Sequence, residues 1–592
     1  MNVLGISCFY HDSAAAVVKD GVLIAAAAEE RFNRKKHFFG FPALAIRYCL
    51  REAGLVASDL DAIAFYEKPL VKFERILMTL IASWPLSYVS FLKAMPIWLK
   101  QRLWIKDQIL AELGFETDAE LDVFFPEHHV SHAASAFLVS PFEKAAILTL
   151  DGVGEWGTTT LGIGEGSRMT IEREIRFPHS LGLFYSAVTS YLGFRVNDAE
   201  WKVMGLAPYG KPTLVDRLRK TIDVRPDGSF RLDMRYFCHH WSSQRMFNRK
   251  WVRLLGRPQR PRESKIEAFH CDVAHSGQKI VEEAMISLGR AAYDRYGVEN
   301  LCIAGGVGLN CVGNWKILKN TPIRRIWIQP AAGDDGGAIG AAFYVANVLL
   351  GQPRVYEMKN AYLGPSFEDA EIDAALRSRG VEAVKLSRKD MLQRAARLIA
   401  DNRVVGWFQG RMEFGPRALG ARSILANPTH PQIKDIINSK IKFRERFRPF
   451  APSVLREEVS NYFDMDMDCK FMLLVPQVLE SKRALLPGIT HADGTGRVQT
   501  VSREDNPLYH DLISEFRKLT GVPIVVNTSF NVRGEPIVCT PDDAYETFMK
   551  TGMDALVIGS YVLEKDEAMR EASDLASVAA AKAAVESDLM SD

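Results

Sequence analysis

The sequence has no Cys-x-x-Cys pair, and its eight cysteines (Cys8, Cys49, Cys238, Cys271, Cys302, Cys311, Cys469 and Cys539) lie far apart. That spacing excludes a disulfide scaffold or a zinc ribbon and reads as a protein of the reducing cytoplasm. There is almost no net charge, since 74 Lys and Arg face 72 Asp and Glu for a formal +2. A chain so balanced has no overall field for nucleic acid or membrane, and any such affinity must come from a local patch. The first residues, MNVLGISCFYHDSAAAVV, lack the basic start, apolar middle and cleavage site of a secretory signal. A membrane span is not expected either. The uncharged stretch Ile76 to Leu92 covers 17 residues and contains Pro85, short of the roughly 18 or more that a span needs. It reads as a buried or interface helical insert, with a basic amphipathic surface toward lipid or a greasy substrate as the second reading.

What is present suits a folded multi-domain protein: 47% hydrophobic and 10% aromatic residues, with length for about two to four domains of ordinary size. The first 30 residues predict a strand (Asn2 to Ser7), a polar loop with His11, Asp12 and Ser13, a second strand (Ala14 to Val18), a Lys19-Asp20-Gly21 turn and a third strand. The pattern recurs about 140 residues later. There an apolar run, Ala145 to Leu150, enters the turn Asp151-Gly152-Val153-Gly154 and leaves into Thr158 to Ile163. Two strand, acidic turn, strand units predict an internal duplication, as in the ribonuclease-H-like halves of the actin, sugar kinase and Hsp70 superfamily. A glycine loop after a short strand, Gly305-Gly306-Val307-Gly308, fits a phosphate contact in such a fold.

A glycine and proline-bearing segment near residue 353 marks a boundary. It gives a first domain at residues 1–355, a second α/β domain at 360–567 and a flexible, alanine- and serine-rich tail at 568–592. In Glu127-His128-His129-Val130-Ser131-His132 the i, i+4 spacing puts His128 and His132 on one helical face, and His129 about 100° away. Asp334, in Gly333-Asp334-Asp335-Gly336, is the candidate third ligand, and this donor set suits zinc, iron or manganese. In the second domain, Gly410 to Pro452 concentrates Arg411, Arg417, Arg422, Lys434, Lys440, Lys442, Arg444, Arg446 and Arg448 among phenylalanines. This reads as a walled pocket for an anionic ligand, with Arg497 and the loop holding Ser529 and Asn531 as further donors.

These segments together resemble the NodU/CmcH family of O-carbamoyltransferases. The carriers are His11-Asp12-Ser13-Ala14, Glu29-Glu30-Arg31-Phe32 with Lys36-His37, His128 to His132, Asp151-Gly152-Val153-Gly154, Glu200-Trp201-Lys202-Val203-Met204-Gly205, Glu413-Phe414-Gly415-Pro416-Arg417-Ala418-Leu419-Gly420, Phe447-Arg448-Pro449-Phe450 and Asn527-Thr528-Ser529-Phe530-Asn531. The resemblance implies a first domain like the tRNA threonylcarbamoyl transferases and a second like YrdC. It further implies ATP with Mg and carbamoyl phosphate as substrates, and a carbamoyl adenylate bound by Arg417, Lys442, Arg448, Arg497, Ser529 and Asn531. Transfer to a hydroxylated small-molecule acceptor would follow, with iron(II) on His128, His132 and Asp334. His11 is expected to handle the hydroxyl proton as a neutral imidazole, Lys36 to stabilise charge, and Glu200, Lys202, Gly305, Gly306 and Asn310 to line the nucleotide site. No nucleic-acid partner is expected, and a homodimer is compatible with the sequence. The alternatives weighed are a threonylcarbamoyl-type tRNA transferase and a kinase or ATPase on the duplicated fold.

Overall fold

The apolar runs near the N-terminus pair as a meander extended on one side. Strands β1 (Asn2–Ser7), β2 (Ala14–Lys19) and β3 (Val22–Ala28) are antiparallel neighbours, while β4 (Ala62–Phe65) and β5 (Asp122–Phe124) add in parallel beyond β1, in the order β3-β2-β1-β4-β5. The later strands repeat this. β6 (Lys144–Leu150), β7 (Gly157–Glu165) and β8 (Arg168–Arg176) form the second meander, and a small hairpin of β9 (Ile222–Val224) and β10 (Phe230–Leu232) intervenes. β11 (Asn300–Ala304) and β12 (Arg325–Ile328) then add in parallel beyond β6. The order β8-β7-β6-β11-β12 matches the first sheet strand for strand, so the first unit is the duplicated ribonuclease-H-like fold of the actin, sugar kinase and Hsp70 superfamily. Central strands such as β1 and β6 are buried beyond their first residue because both sheet faces are covered, whereas the outer β8 alternates charged and apolar residues and is largely exposed.

This computed structural model describes residues 1–116, 120–566 and 569. The chain divides into two units, one of Met1–Glu29 and His37–Met358, the other of Glu30–Lys36 and the residues from Lys359 on. The tail expected at 568–592 lies outside the described residues, Met569 aside.

Two helices of the first unit carry the candidate ligands. His128–Phe137 and Asp334–Phe343 pack on each other, and the second also lies on β1. The small-residue sequence Asp-Asp-Gly-Gly-Ala-Ile-Gly-Ala-Ala-Phe permits this approach. A Cβ at Gly340 would overlap the Ser131 carbonyl oxygen, and one at Gly5 in β1 would overlap that of Ala338. The uncharged run at 76–92 does not enter the core. It forms parts of two helices, Pro69–Ala82 and Tyr88–Lys100, with many apolar side chains in solvent. Among the described residues no helix is long and apolar enough to cross a membrane.

The second unit is a seven-stranded mixed sheet of β13 (Val405–Phe408), β14 (Arg422–Ala426), β15 (Ala451–Leu455), β16 (Gln499–Val501), β17 (Ile524–Ser529), β18 (Ala555–Ile558) and β19 (Tyr561–Glu564), in the order β16-β15-β17-β14-β13-β18-β19. Segment Glu30–Lys36, which the sequence assigns to the first domain, belongs here because its side chains find partners here. The Arg31 guanidinium donates to the Gly415 carbonyl at 3.0 Å, and that of Arg34 to Ile537 and Pro536 carbonyls at 2.6 and 2.9 Å. Phe32 packs on Met412, Ile537 and Cys539.

Gly340→Ala should lower unfolding free energy by about 1–3 kcal/mol, the usual cost of overpacking a tight contact. Urea denaturation reads this, and an unchanged midpoint would show that the helices are not in obligatory contact.

Candidate active site

Helix His128–Phe137 starts where Glu155 pins it. Both carboxylate oxygens of Glu155 accept the His128 backbone N–H at 3.0 Å, and one also accepts that of Lys68 at 2.8 Å. His128 and His132 then stand one turn apart with their Nε2 atoms 3.0 Å from each other. Asp334, at the start of its own helix, brings Oδ1 to 3.7 Å from the first and 3.6 Å from the second. A fourth group completes the set: Asp151 Oδ2 lies 3.2 Å from His128 Nε2, and its Oδ1 accepts the Gly306 N–H at 2.9 Å. The four side chains are buried, and their ligand atoms lie within 4.8 Å of one another. The sequence reading did not include Asp151 in this set, having placed it in the acidic turn of the second strand, turn, strand unit. Its signal was available in the duplication, since Asp151 follows β6 as His11 and Asp12 follow β1.

Electrostatics here describe a site built for a cation. Burial alone would push His128 down, but the Asp334 and Asp151 carboxylates outweigh it and hold it up at about 9. Asp334 is drawn toward protonation by burial, yet the His11 and His128 charges hold it below the usual carboxylate range. Among the described residues neither Asp334 oxygen has a hydrogen-bond donor, and the His128 and His132 Nδ1 atoms have no hydrogen-bond partner, Glu67 Oε2 standing 3.9 Å from the former. Buried carboxylates and imidazoles converging, with both Asp334 oxygens lacking donors among the described residues, fit a divalent metal, and nitrogen with oxygen ligands suits zinc, iron or manganese alike. His129 faces elsewhere, with Nδ1 2.6 Å from Thr149 Oγ1, and burial with its two histidine neighbours pushes it down to about 3.

A chain of polar groups leads out from this cluster. His11 Nε2 lies 3.8 Å from Asp334 Oδ2, and its Nδ1 is 2.9 Å from Asp12 Oδ2. Asp12 Oδ1 contacts His37 Nδ1 at 2.7 Å, and His37 Nε2 contacts Asp198 at 2.7 Å. Asp12 and His37 both hold left-handed backbone, with φ of 52° and 54°, a conformation that non-glycine residues keep only when surroundings enforce it. Burial would lower the His11 pKa, but Asp334 and Asp12 raise it to about 10. The sequence reading expected a neutral imidazole at His11; its neighbours here are the Asp334 and Asp12 carboxylates, which sequence spacing did not reveal. Lys36 is exposed and belongs to the segment of the second unit. The residue after it, His37, is the one whose ring meets Asp12.

The other residues assigned to the nucleotide site divide. Gly306 meets Asp151 directly, and Gly305 takes φ 91° beside it. Asn310 is committed elsewhere, capping helix Cys311–Asn320 through the Gly313 N–H at 3.0 Å and pairing with the Gln278 amide at 3.0 and 3.1 Å. Glu200 accepts from the Ser186 hydroxyl and the Asn197 N–H, both at 2.9 Å, and burial raises its pKa. Lys202 stands over the Phe194 ring at 5.4 Å.

In the second unit Lys442 is the centre. Its buried ammonium donates to the Ser529 carbonyl, to Ser529 Oγ at 3.2 Å, and to the carbonyl and Oδ1 of Asn531 at 2.9 and 2.8 Å. Burial drives its pKa well down, and the Arg444 and Arg448 charges push the same way. Arg444 is itself lowered by burial, with Arg448 and Arg497 adding repulsion against the single anion Glu445. Arg444 and Arg448 thus lie near Lys442, with Arg497 and the Glu445 carboxylate near Arg444, which suits a polyanionic ligand. The nine-cation segment read from sequence is not one surface, however. Arg422 is fully buried in the core, donating to the carbonyls of Gln409, Gly410, Ala421 and Pro365, and Arg411 donates to those of Leu363 and Gly364. Glu413 is a scaffold: its Oε1 accepts the N–H groups of Leu419, Ala421 and Arg422, holding the loop that carries the half-buried Arg417.

Comparison with known proteins matches residues 2–343 to the carbamoyltransferase N-terminus and 396–565 to the carbamoyltransferase C-terminus. The chain belongs to the carbamoyltransferase family. An uncharacterised protein of Synechocystis sp. is 50% identical over 95% of this chain and 97% of its own. Nodulation protein NolNO of Sinorhizobium fredii is 40% identical over 95% and 80%, and nodulation protein U of Rhizobium tropici 29% identical over 90% and 91%. Among solved structures, component A of (R)-2-hydroxyglutaryl-CoA dehydratase from Acidaminococcus fermentans overlaps 58% of this chain and 97% of its own at 14% identity and TM-score 0.30, too loose a match to bear on fold or function. The buried His and Asp cluster thus lies within the N-terminal family region and the buried cations within the C-terminal one.

Asp151→Asn should weaken Co(II) affinity about tenfold or more, the usual effect of losing a ligand or its close support, whereas His129→Ala should leave it unchanged. Metal titration followed by visible absorbance reads both, and equal affinities would remove Asp151 from the site. Pyrophosphate should raise the melting temperature of the wild-type chain by mass action. In Lys442→Met that rise should shrink to nothing, and a full rise there would place the anion elsewhere.

Proposed function

We propose that this carbamoyltransferase is an ATP-dependent O-carbamoyltransferase working in two steps, with a YrdC-like second unit. Water cleaves carbamoyl phosphate to carbamate and phosphate. A carbamate oxygen then attacks the α-phosphorus of ATP, forming carbamoyl-AMP and expelling pyrophosphate. In the second step an acceptor hydroxyl attacks the carbamoyl carbon, its proton leaves, AMP departs, and the acceptor keeps the carbamate ester.

The observation that carries this reading is the pair of opposed sites, one of buried cations in the C-terminal region and one of buried anions and imidazoles in the N-terminal region. Joining carbamate to a triphosphate brings negative groups together, and cations fixed in a dry site lower that barrier without reorganising. Lys442 is held by Ser529 and Asn531, so its ammonium is aimed rather than free, with Arg444, Arg448 and Arg497 beside it. Arg417 completes this set in the proposal, and Mg would accompany the nucleotide.

Transfer calls for different groups. His11 is placed to take the hydroxyl proton, with Asp12 orienting its ring and Asp12 in turn held by His37. A divalent metal on His128, His132, Asp334 and Asp151, iron(II) by resemblance, would polarise the carbamoyl group or hold the phosphate. The Gly305-Gly306 loop, Glu200 and Lys202 are assigned to the nucleotide end of the adenylate.

With ATP and carbamoyl phosphate supplied, Lys442→Ala should cut pyrophosphate release by about 10²–10³-fold. His128→Ala should leave that release near the wild-type rate and abolish carbamoylation of an added hydroxylated acceptor, read by mass spectrometry. Equal loss of pyrophosphate release in both variants would end the division of labour.

A further inference from the structure

Half of the exposed large apolar side chains among the described residues, eleven of twenty-two, fall within residues 70–104. Ten of them belong to helices Pro69–Ala82 and Tyr88–Lys100 and to the link between them, and Trp104 follows. At the tip, Trp84 is 56% exposed, Leu86 65%, Val89 57% and Leu92 54%. A soluble monomer rarely leaves so many apolar groups together in water.

We propose that this helical hairpin docks the protein on a lipid bilayer bearing anionic headgroups, lying in the interface without spanning it. Charge distribution supports that occupant. Residues 76–92 are uncharged, and behind them helix Tyr88–Lys100 carries Lys93 and Lys100 and no acidic residue, followed by exposed Lys106. An apolar tip with Trp84 and Tyr88 at its edge and a lysine collar behind it matches the layering of acyl chain, interface and anionic headgroup.

The backbone is also prepared for a low-dielectric surrounding. In the link, Ser83 N–H donates to Thr79, Trp84 N–H to Ile81, Ser87 N–H to Ser83 and Tyr88 N–H to Pro85, while the Ser87 hydroxyl satisfies the Leu80 carbonyl. Polar main-chain groups entering a bilayer must be paired internally. The hairpin's buried charges turn the other way: the Lys72 ammonium bonds Glu67 at 2.6 Å, and Arg75 covers the Phe177 ring at 4.9 Å.

The inner face is rooted in the protein by buried Leu80, Met95 and Trp98, and by the Ser90 hydroxyl donating to the Trp241 carbonyl at 3.0 Å. Lys72 stands over the Tyr10 ring at 4.7 Å and Arg102 over the Phe9 ring at 4.3 Å. Both aromatic residues precede His11 in its loop, so the base of the hairpin is packed on that loop. The docking itself does not depend on the reaction proposed above.

The test is flotation of the full chain with phosphatidylcholine vesicles with or without phosphatidylglycerol, combined with tryptophan fluorescence. Wild type should float with the anionic vesicles and shift its emission to the blue. Trp84→Ser, Leu86→Ser and Val89→Ser combined should reduce partitioning more than tenfold, with an unchanged melting temperature because these side chains are exposed. Lys93→Glu with Lys100→Glu should weaken it about tenfold. The proposal is overturned by no flotation, by equal binding to neutral vesicles, by undiminished binding of the triple variant, or by a soluble dimer that the triple variant dissolves.

Discussion

Two carboxylates buried against two imidazoles set the constraint on which the first unit depends. Asp151 and Asp334 are too deep to be neutralised by water, and charges so placed persist only with compensation. Without metal, the compensation comes from protons: His128 and His11 are both raised to hold them. The surroundings fit this demand. Glu155 fixes the start of the histidine helix, Gly306 takes one Asp151 oxygen, and the glycine-rich helix brings Asp334 in close. Each contact comes from a different strand end of the duplicated sheet. The duplication is therefore not only architectural, because it brings two hairpin turns and two helix N-termini to one point.

The second unit inverts the problem. Lys442, Arg444 and Arg448 repel one another where burial already disfavours their charges, and Glu445 offsets only part of that. Carbonyls of Ser529 and Asn531 relieve Lys442 without cancelling its charge. A site of this kind gains most from a ligand of several negative charges, which follows from electrostatics alone and holds whatever reaction uses it.

How far these features could be read in the sequence depends on the range of the interaction. The duplicated sheet was legible because strand, acidic turn, strand is a local pattern, and so was the histidine pair, whose spacing is one helical turn. Asp334 was reachable from its glycine-flanked turn. Asp151 was seen but given another task, since nothing local says that its Oδ2 faces a histidine 23 positions earlier. The chain from His11 through Asp12 and His37 to Asp198 joins positions 161 residues apart, beyond any local pattern. The cationic segment was over-read for the opposite reason: Arg411 and Arg422 look like ligand cations until their carbonyl partners are known. Segment Glu30–Lys36 reads as a charged loop of the first domain, and only Gly415, Pro536 and Ile537 reveal its place in the second unit.

The proton on His11 shows how the parts act together. Its ring lies between Asp12 and Asp334, so it cannot serve as a base while both carboxylates bear full charge toward it. A divalent cation held by His128, His132, Asp334 and Asp151 would offset the Asp334 charge, with Asp12 then the main anion facing the ring. Asp12 is shared with His37, which in turn is tied to Asp198, so its pull on His11 is moderated by a second imidazole rather than by solvent. On the proposed reading, His11 would act as a base with a cation held at the cluster, and the transfer site would depend on that cation through one carboxylate. It also explains why the fold holds Asp12 and His37 in left-handed backbone: each must turn against its strand or loop for the chain of contacts to close.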